Sequence, residues 1–274
     1  VDMPIIGFGT FGLTDYNECK QAVLAAINSG YRLFDTAVFY GSDRAVGDAI
    51  KESGVPREEL FISSKVWVSH MSYEKAKEWL QIALDNLGLT YLDMLLIHNP
   101  QGDVHGTWRA MEEMHDEGSV RSIGLSNFYP DRVMDVMLYN RIKPAIDQLE
   151  THVFHQRKEE HTFLKELGIV HEGWAPLAQG EKGIFTNKTL VEIGAKYGKT
   201  AAQVSLRWNI QRGVVVIPRA ADADLIKENI NIFDFQLSDD DMALISEMDN
   251  HKTLFFDNRD PKIIEIFYNL GKEI

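Results

Sequence analysis

The segment LDMLLIHNPQGDVHGTWRAMEEMHDEGSVRSIGL, Leu92–Leu125, contains one complete structural unit. Its first part, Leu92–His98, holds the run MLLIH at Met94–His98, apolar on consecutive positions as a strand covered on both faces must be. Val104–Glu117 then places apolar residues at helical spacing, and Val120–Leu125 returns to a short apolar run. Strand, helix and strand in this order predict a right-handed crossover between parallel strands. The same unit recurs on either side. Further runs lie at Ile5–Thr10, Tyr31–Asp35, Leu60–Lys65, Ala145–Leu149, Ile169–Trp174 and Val214–Pro218. Amphipathic segments between them include Asn17–Ser29, Tyr73–Leu87, Arg132–Tyr139, Gln156–Leu167 and Asp222–Asn229.

Eight strands alternating with helices predict an α/β fold, a (β/α)8 TIM barrel, formed by residues 1–274 as a single domain. No Pro/Gly/Ser-rich linker or low-complexity tract divides the chain. Two helical patterns, Lys188–Tyr197 and Ala201–Arg212, lie between the seventh and eighth runs, so one is an extra helix. Beyond the eighth helix the chain continues through Ser238–Met248 into a tail, HKTLFFDNRDPK, positioned to fold back over a barrel mouth. Ser238 with the acidic residues after it reads as a helix cap and first turn.

The 274 residues carry 28 Lys+Arg against 41 Asp+Glu, a net charge of −13. An acidic surface repels phosphate backbones, so nucleic acid is not an expected partner. The one cysteine, Cys19, lies in the first helical pattern and forms no intramolecular disulfide, which suits a reducing compartment. No apolar stretch of about 18 residues is present, so no membrane partner is expected, and a cytoplasmic location and a monomeric state are the expectations.

Gly7, Gly9 and Gly12 spell G-x-G-x-x-G after the first run, with Asp35 23 residues beyond Gly12. This matches the dinucleotide fingerprint of a doubly wound sheet. In that fold the glycines open the helix, whereas here Leu13, Thr14 and Asp15 intervene, and Asp15 would oppose a phosphate at the helix start. A strand-to-helix turn of a barrel is the simpler reading.

Function in a barrel gathers where strands end and βα loops begin. Those positions hold Asp35, Tyr40, Lys65, His98, Ser126, Asn127, Gln148, Trp174 and Arg219. Asp35 beside Lys65 would keep an ammonium charged and aimed. That ammonium favours a phenolate and so lowers the pKa of Tyr40, while His98 orients a carbonyl oxygen. Tyr40 then protonates the oxygen as a hydride reaches the carbon. Taken singly, Asp35 and Lys65 read equally as a structural ion pair, His98 as a core histidine and Tyr40 as a packed aromatic. Their convergence on one end of one sheet favours chemistry.

Motifs across nearly the whole chain resemble the aldo-keto reductases. They are GFGT at Gly7–Thr10, GYRLFDTAVFYGSD at Gly30–Asp43, SSKVW at Ser63–Trp67 and LLIHNP at Leu95–Pro100. IGLSNF at Ile123–Phe128, DQLETH at Asp147–His152 and VVVIPRA at Val214–Ala220 complete the set. HNPQGDVHGTWRAME and FFDNRDP are most similar to the bacterial short-loop branch that includes 2,5-diketo-gluconate reductases. The resemblance implies a catalytic tetrad of Asp35, Tyr40, Lys65 and His98, with Tyr40 as acid. It implies that Ser126, Asn127 and Gln148 hold a nicotinamide carboxamide while the ring stacks on Trp174, followed by Ala175, Pro176 and Leu177. Gly9 and Thr10 lie beside the pyrophosphate ribose, Glu228 and Asn229 hold the adenine, and Phe11, Trp67, His98 and Asn99 line the substrate site.

The 2′-phosphate clamp departs from the pattern of relatives that prefer NADP. They usually carry Lys-Ser or Lys-Thr and then Arg, where this chain has Arg219, Ala220, Ala221 and Leu225. Arg219 alone still suits a phosphate. NADP(H) is therefore expected to be favoured, with NAD(H) also used. The expected reaction is NAD(P)H-dependent reduction of small sugar-derived, dicarbonyl or keto-acid aldehydes and ketones, with alcohol CH–OH groups as products. Two rival readings are a non-catalytic cofactor-binding regulatory barrel and a Schiff-base enzyme using Lys65. No metal is expected: His152, His155 and His161, with Glu159 and Glu160, match no zinc spacing and read as solvated surface. Met111, Met114, Met134 and Met137 read as a face turned toward the sheet.

Overall fold

The computed structural model describes residues 2–272; Val1, Glu273 and Ile274 lie outside the described residues. Eight parallel strands run in the order of the chain, and each pairs with the next. The first elements are β1 (Gly7–Gly9), α1 (Tyr16–Asn28), β2 (Leu33–Asp35), α2 (Asp43–Ser53), β3 (Phe61–Val66), α3 (Tyr73–Leu87) and β4 (Met94–Ile97). There follow α4 (Val104–Asp116), β5 (Ile123–Ser126), α5 (Pro130–Tyr139), β6 (Ile146–Glu150), α6 (Lys158–Glu166) and β7 (Val170–Trp174). The chain continues with α7 (Lys188–Tyr197), α8 (Ala201–Gln211), β8 (Val215–Val216), α9 (Ala223–Ile230), α10 (Asp239–Ser246) and α11 (Pro261–Leu270). A parallel bridge between Ile6 and Val216 brings the last strand against the first, and Gly9 N–H donates to Pro218 at 3.1 Å, so the barrel is nearly closed.

Alternation along the strands divides the apolar residues in two. Leu33, Phe61, Met94, Leu96, Ile146, Val215 and Ile217 fill the barrel interior. Phe34, Ile62, Leu95, Ile97, Leu125 and Leu149 join the larger cluster between sheet and helices. The inward positions above the apolar floor are polar: Asp35, Lys65, Gln148 and Glu172, all buried. A barrel puts its chemistry at this C-terminal end of the strands.

Several expectations are refined. The glycine triplet does not open a helix: α1 begins at Tyr16, capped by Asp15, whose carboxylate accepts from Glu18 N–H at 2.8 Å. The strands are shorter than the apolar runs, because ladder pairing is confined to the stretch where neighbours lie side by side. Two helices were absent from the helical segments read from sequence, α2 and α11. The inner face of α2 is built from Ala45, Val46, Gly47, Ala49 and Ile50, small residues that give a weak periodic signal. The extra helix falls where expected, α7 and α8 both lying between β7 and β8. Met111 and Met114 are fully buried in the core, and Cys19 is buried in α1.

Gly47 marks a close crossing: a Cβ there would collide with the backbone carbonyl of Leu87 at the end of α3. Gly47→Ala should cost about 1–3 kcal/mol by overpacking, read as a lower denaturant midpoint at unchanged m-value. Gly118→Ala, whose Cβ meets nothing within 4 Å although φ is +84, gives the backbone-strain reference.

Candidate functional site

β2 and β3 pair with Asp35 opposite Ser63, which sets Lys65 one inward position higher on the neighbouring strand. Its side chain reaches Asp35 Oδ1 at 2.6 Å and the Thr36 carbonyl at 3.1 Å, with no exposed surface. Burial by itself depresses this ammonium, but the Asp35 carboxylate and the Tyr40 hydroxyl outweigh burial and raise its pKa above the ordinary lysine value. A lysine held charged in this way offers no free amine, which argues against the Schiff-base reading.

Tyr40 ends a 3-10 turn, Val38–Tyr40, that follows β2. Lys65 Nζ lies 5.0 Å from its ring centroid, and Tyr40 Oη lies 3.4 Å from His98 Nε2. The expected depression of the phenol is overruled. Burial pushes Tyr40 up to about 12, even though the Lys65 charge pulls it down. His98, just beyond β4, is pushed well below its ordinary value by burial and then by Lys65, so near neutrality it is an uncharged imidazole. Asp35, Lys65, Tyr40 and His98 thus come together at one mouth.

Asp35, Tyr40 and His98 line a cavity of about 520 Å3, and Lys65 lies behind its wall, against Asp35. Gly9, Ser126, Asn127, Gln148, Trp174 and Arg219 line it further along. A side chain at Gly9 would press on the Ile217 carbonyl, 2.9 Å from its Cβ. Asn127, left-handed at φ 65, is already engaged: its amide nitrogen donates to the His98 carbonyl and to Ser126 Oγ, each at 3.0 Å, and its oxygen accepts from Trp174 Nε1 at 2.9 Å. Ala175, Pro176 and Leu177 continue the lining, with Ala175 also left-handed. Arg219 is exposed at the far end and forms no ion pair among the described residues. The indole, the polar groups and this unpaired guanidinium suit a flat ring, a carboxamide and a phosphate.

Other expected residues are placed differently. Thr10 is fully buried, with its hydroxyl donating to the Asp35 carbonyl and next to Ser42 Oγ, and it does not line the cavity. Ala220, Ala221, Leu225, Glu228 and Asn229 lie past Arg219, outside the lining. Glu228 accepts from Thr200 at 2.7 Å, and Leu225 is half exposed. On the substrate side, Phe11 meets Tyr40 edge-on at 5.1 Å, and Trp67 stacks on Phe39 at 3.8 Å with its indole N–H buried and unpartnered. Asn99 lines the cavity, but its oxygen accepts from Asn127 and from Asn258 of the tail.

The tail does fold over the mouth. Phe255 and Phe256 pack on Trp174 at 5.4 and 5.5 Å, and Phe267 of α11 reaches Trp67 at 5.7 Å. Glu150 anchors this arrangement, accepting from His152 at 2.9 Å, Leu254 N–H at 2.8 Å and the Thr253 hydroxyl. Burial alone would raise the Glu150 carboxyl, but these bonds outweigh it and hold it below its ordinary value. His152 and His155 are therefore buried rather than solvated, and no group of three or more His, Cys, Asp or Glu among the described residues could hold a metal ion.

Among the buried carboxyls that sequence reasoning missed, two act on the tetrad: Asp43 and Glu172. Burial pushes Asp43, the first residue of α2, up to about 6, against the hydrogen bond it accepts from Thr36 at 2.6 Å. Glu172 lies below Trp174 on β7, where its inward parity was the available signal.

The Aldo/keto reductase family model matches residues 5–250, and the chain belongs to that family. It is 43% identical over 249 residues to the glyoxal reductase of Bacillus subtilis, covering 90% of each chain. It is 40% identical to the 9,11-endoperoxide prostaglandin H2 reductase of Trypanosoma cruzi, over 93% of this chain and 90% of that one. An aldo-keto reductase from a Medee basin deep-sea metagenome library superposes with a TM-score of 0.93 at 40% identity, covering 95% of this chain and 96% of that one. No helix among the described residues is long and apolar enough to cross a membrane.

Removing the tail's anchor tests its weight. Glu150→Ala removes the acceptor of the buried His152 and of the half-buried Leu254 N–H, together with one of the two acceptors of the Thr253 hydroxyl, and should cost about 2–5 kcal/mol in chemical denaturation, with faster limited proteolysis near Thr253. Unchanged stability and protease resistance would show that the tail is held elsewhere.

Proposed function

We infer that the protein reduces small aldehydes and ketones to alcohols with NADPH or NADH, using Tyr40 as the proton donor. The observation that carries this reading is the meeting of a buried Asp35–Lys65 pair with Tyr40 and an uncharged His98 in the wall of one cavity. The similarity to a glyoxal reductase favours short dicarbonyl aldehydes among the substrates. The aromatic wall of Phe11, Trp67 and Phe255 suits an uncharged carbonyl compound.

A nicotinamide dinucleotide, when bound, supplies the hydride. Trp174 offers the stacking face, the Ser126 hydroxyl and the Gln148 carbonyl oxygen offer partners to a carboxamide, and Arg219 offers charge to phosphate. His98, being neutral, carries one ring N–H; with that proton on Nε2 it donates to a carbonyl oxygen and so holds it beside Tyr40. Tyr40 gives its Oη proton to that oxygen as charge develops there. A phenol near pKa 12 is a weak acid at rest, so the Lys65 ammonium acts chiefly as the phenolate forms, and Asp35 keeps that ammonium in place. Solvent then returns the proton to Tyr40. A purely regulatory barrel has no need of a paired lysine buried under a tyrosine, which weighs against that alternative.

Tyr40→Phe should lower kcat by about 10²–10⁴-fold while NADPH still quenches tryptophan fluorescence; undiminished turnover would overturn the assignment. With Ala220 and Leu225 in the clamp, the NADPH-to-NADH ratio of kcat/KM should stay below several hundred, since one lost charge-assisted contact is worth about 1.5–3 kcal/mol. Steady-state rates with both cofactors decide it.

A further inference from the structure

β7 carries an inward polar side chain that the reaction above does not use. Glu172 stands two residues before Trp174, so strand alternation puts both on the inner face, with Glu172 about 6–7 Å deeper. It is fully buried. Its Oε2 accepts from the Gln148 amide nitrogen at 2.9 Å, and Asp35 Oδ2 accepts from the same nitrogen at 3.0 Å. Between two carboxyl groups an amide can present only its NH2, which leaves the Gln148 oxygen for the cavity.

The groups facing Glu172 are Gln148 from β6, Asp35 from β2 and Lys65 from β3; across the β8 ladder it meets Val215. One ammonium thus serves two carboxyls. Lys65 gives its hydrogen bonds to Asp35 and the Thr36 carbonyl, and Glu172 Oε1 is buried without a partner. A carboxylate with a single neutral donor and one unsolvated oxygen is costly, and the acid form loses less. Burial and then the Asp35 charge push Glu172 up to about 8. Near neutrality it is an acid that a nearby positive charge would ionise.

We propose that Glu172 is a positioning residue that responds to the redox form of the nicotinamide, staying a neutral acid beneath the reduced ring and releasing its proton to solvent beneath the cationic oxidised ring. This rests on the nicotinamide site proposed above. The reduced ring is uncharged and the oxidised ring carries one positive charge, so only the oxidised form gains from the Glu172 anion. At an effective dielectric constant near 20, an attraction between unit charges across about 10 Å is on the order of tenfold in affinity. The sign follows from linkage: the ring's charge lowers the Glu172 pKa, so oxidised cofactor binds more tightly as pH rises toward about 8, and reduced cofactor does not.

The test titrates NADP+ and NADPH against the wild-type protein and Glu172→Gln from about pH 6 to about pH 9, following tryptophan quenching, with proton release measured by calorimetry in two buffers. The 2′-phosphate is common to both cofactors and cancels. The wild type should tighten on NADP+ by about tenfold across this range relative to NADPH, and should release protons on binding NADP+. Glu172→Gln, which keeps a carbonyl acceptor for Gln148 but cannot titrate, should lose both effects. If both cofactors bind the wild type with equal pH dependence and no difference in proton release, or if Glu172→Gln keeps the difference, the inference is overturned and the proposed reaction stands. If neither cofactor binds, both are overturned. The wild-type measurement decides the matter even if the variant does not fold.

Discussion

The ion pair between Asp35 and Lys65 is the contact on which the polar half of the barrel depends. Both side chains are removed from water and meet at 2.6 Å, in a layer resting directly on the apolar floor. A buried pair of this kind adds little net stability, because desolvation offsets most of the attraction, yet removing one member costs about 3–5 kcal/mol. Its retention in a barrel interior points to use rather than to stability. Asp35 also accepts from Gln148, so one carboxylate fixes a lysine on β3 and an amide on β6 at once. Burial sets the charges of Tyr40, His98 and Glu172 first, and their place relative to that pair adjusts them.

Much of the fold was readable because a parallel barrel imposes a simple pattern. Strands covered on both faces must be apolar at consecutive positions, as Leu95, Leu96 and Ile97 are, and the helices between them must show one apolar stripe. The pattern fades where it is made of small residues, as in α2, or where a helix packs through a few aromatic contacts, as α11 does through Phe267. The four residues of the proposed tetrad were found because strand ends are the one place where a polar residue has no structural requirement to be. Glu172 escaped notice for the opposite reason: it lies mid-strand, and only inward parity distinguishes it. Burial was the quantity least accessible from sequence. It reverses the expected direction for Tyr40, takes His152 and His155 out of solvent and commits the Thr10 hydroxyl to the backbone.

Neutral and charged members of the site are separated by solvation as much as by contact. His98 has no carboxylate partner among the described residues and lies near an ammonium, so it gives up its charge; Lys65, equally buried, keeps its own because Asp35 touches it. Two carboxyls show the same division: Asp35 has the ammonium, while Glu172 is left with one amide hydrogen bond. Burial and contact within the Asp35–Lys65 pair together separate the neutral groups from the fixed charges.

The family match ends at residue 250, yet Phe255, Phe256 and Phe267 supply one wall of the cavity. That wall is fastened to the barrel by Glu150 on one side and by Asn99, Gln101, Asn127 and Tyr129 on the other, which meet Asn258 and Asp257 of the tail. The aromatic wall and the interior charges therefore belong to separate parts of the chain, so a change in the tail alters the cavity without touching Asp35, Lys65 or Gln148. The molecule thus separates charge from shape along its sequence: the strands hold the buried charges, and the last residues shape the space beside them.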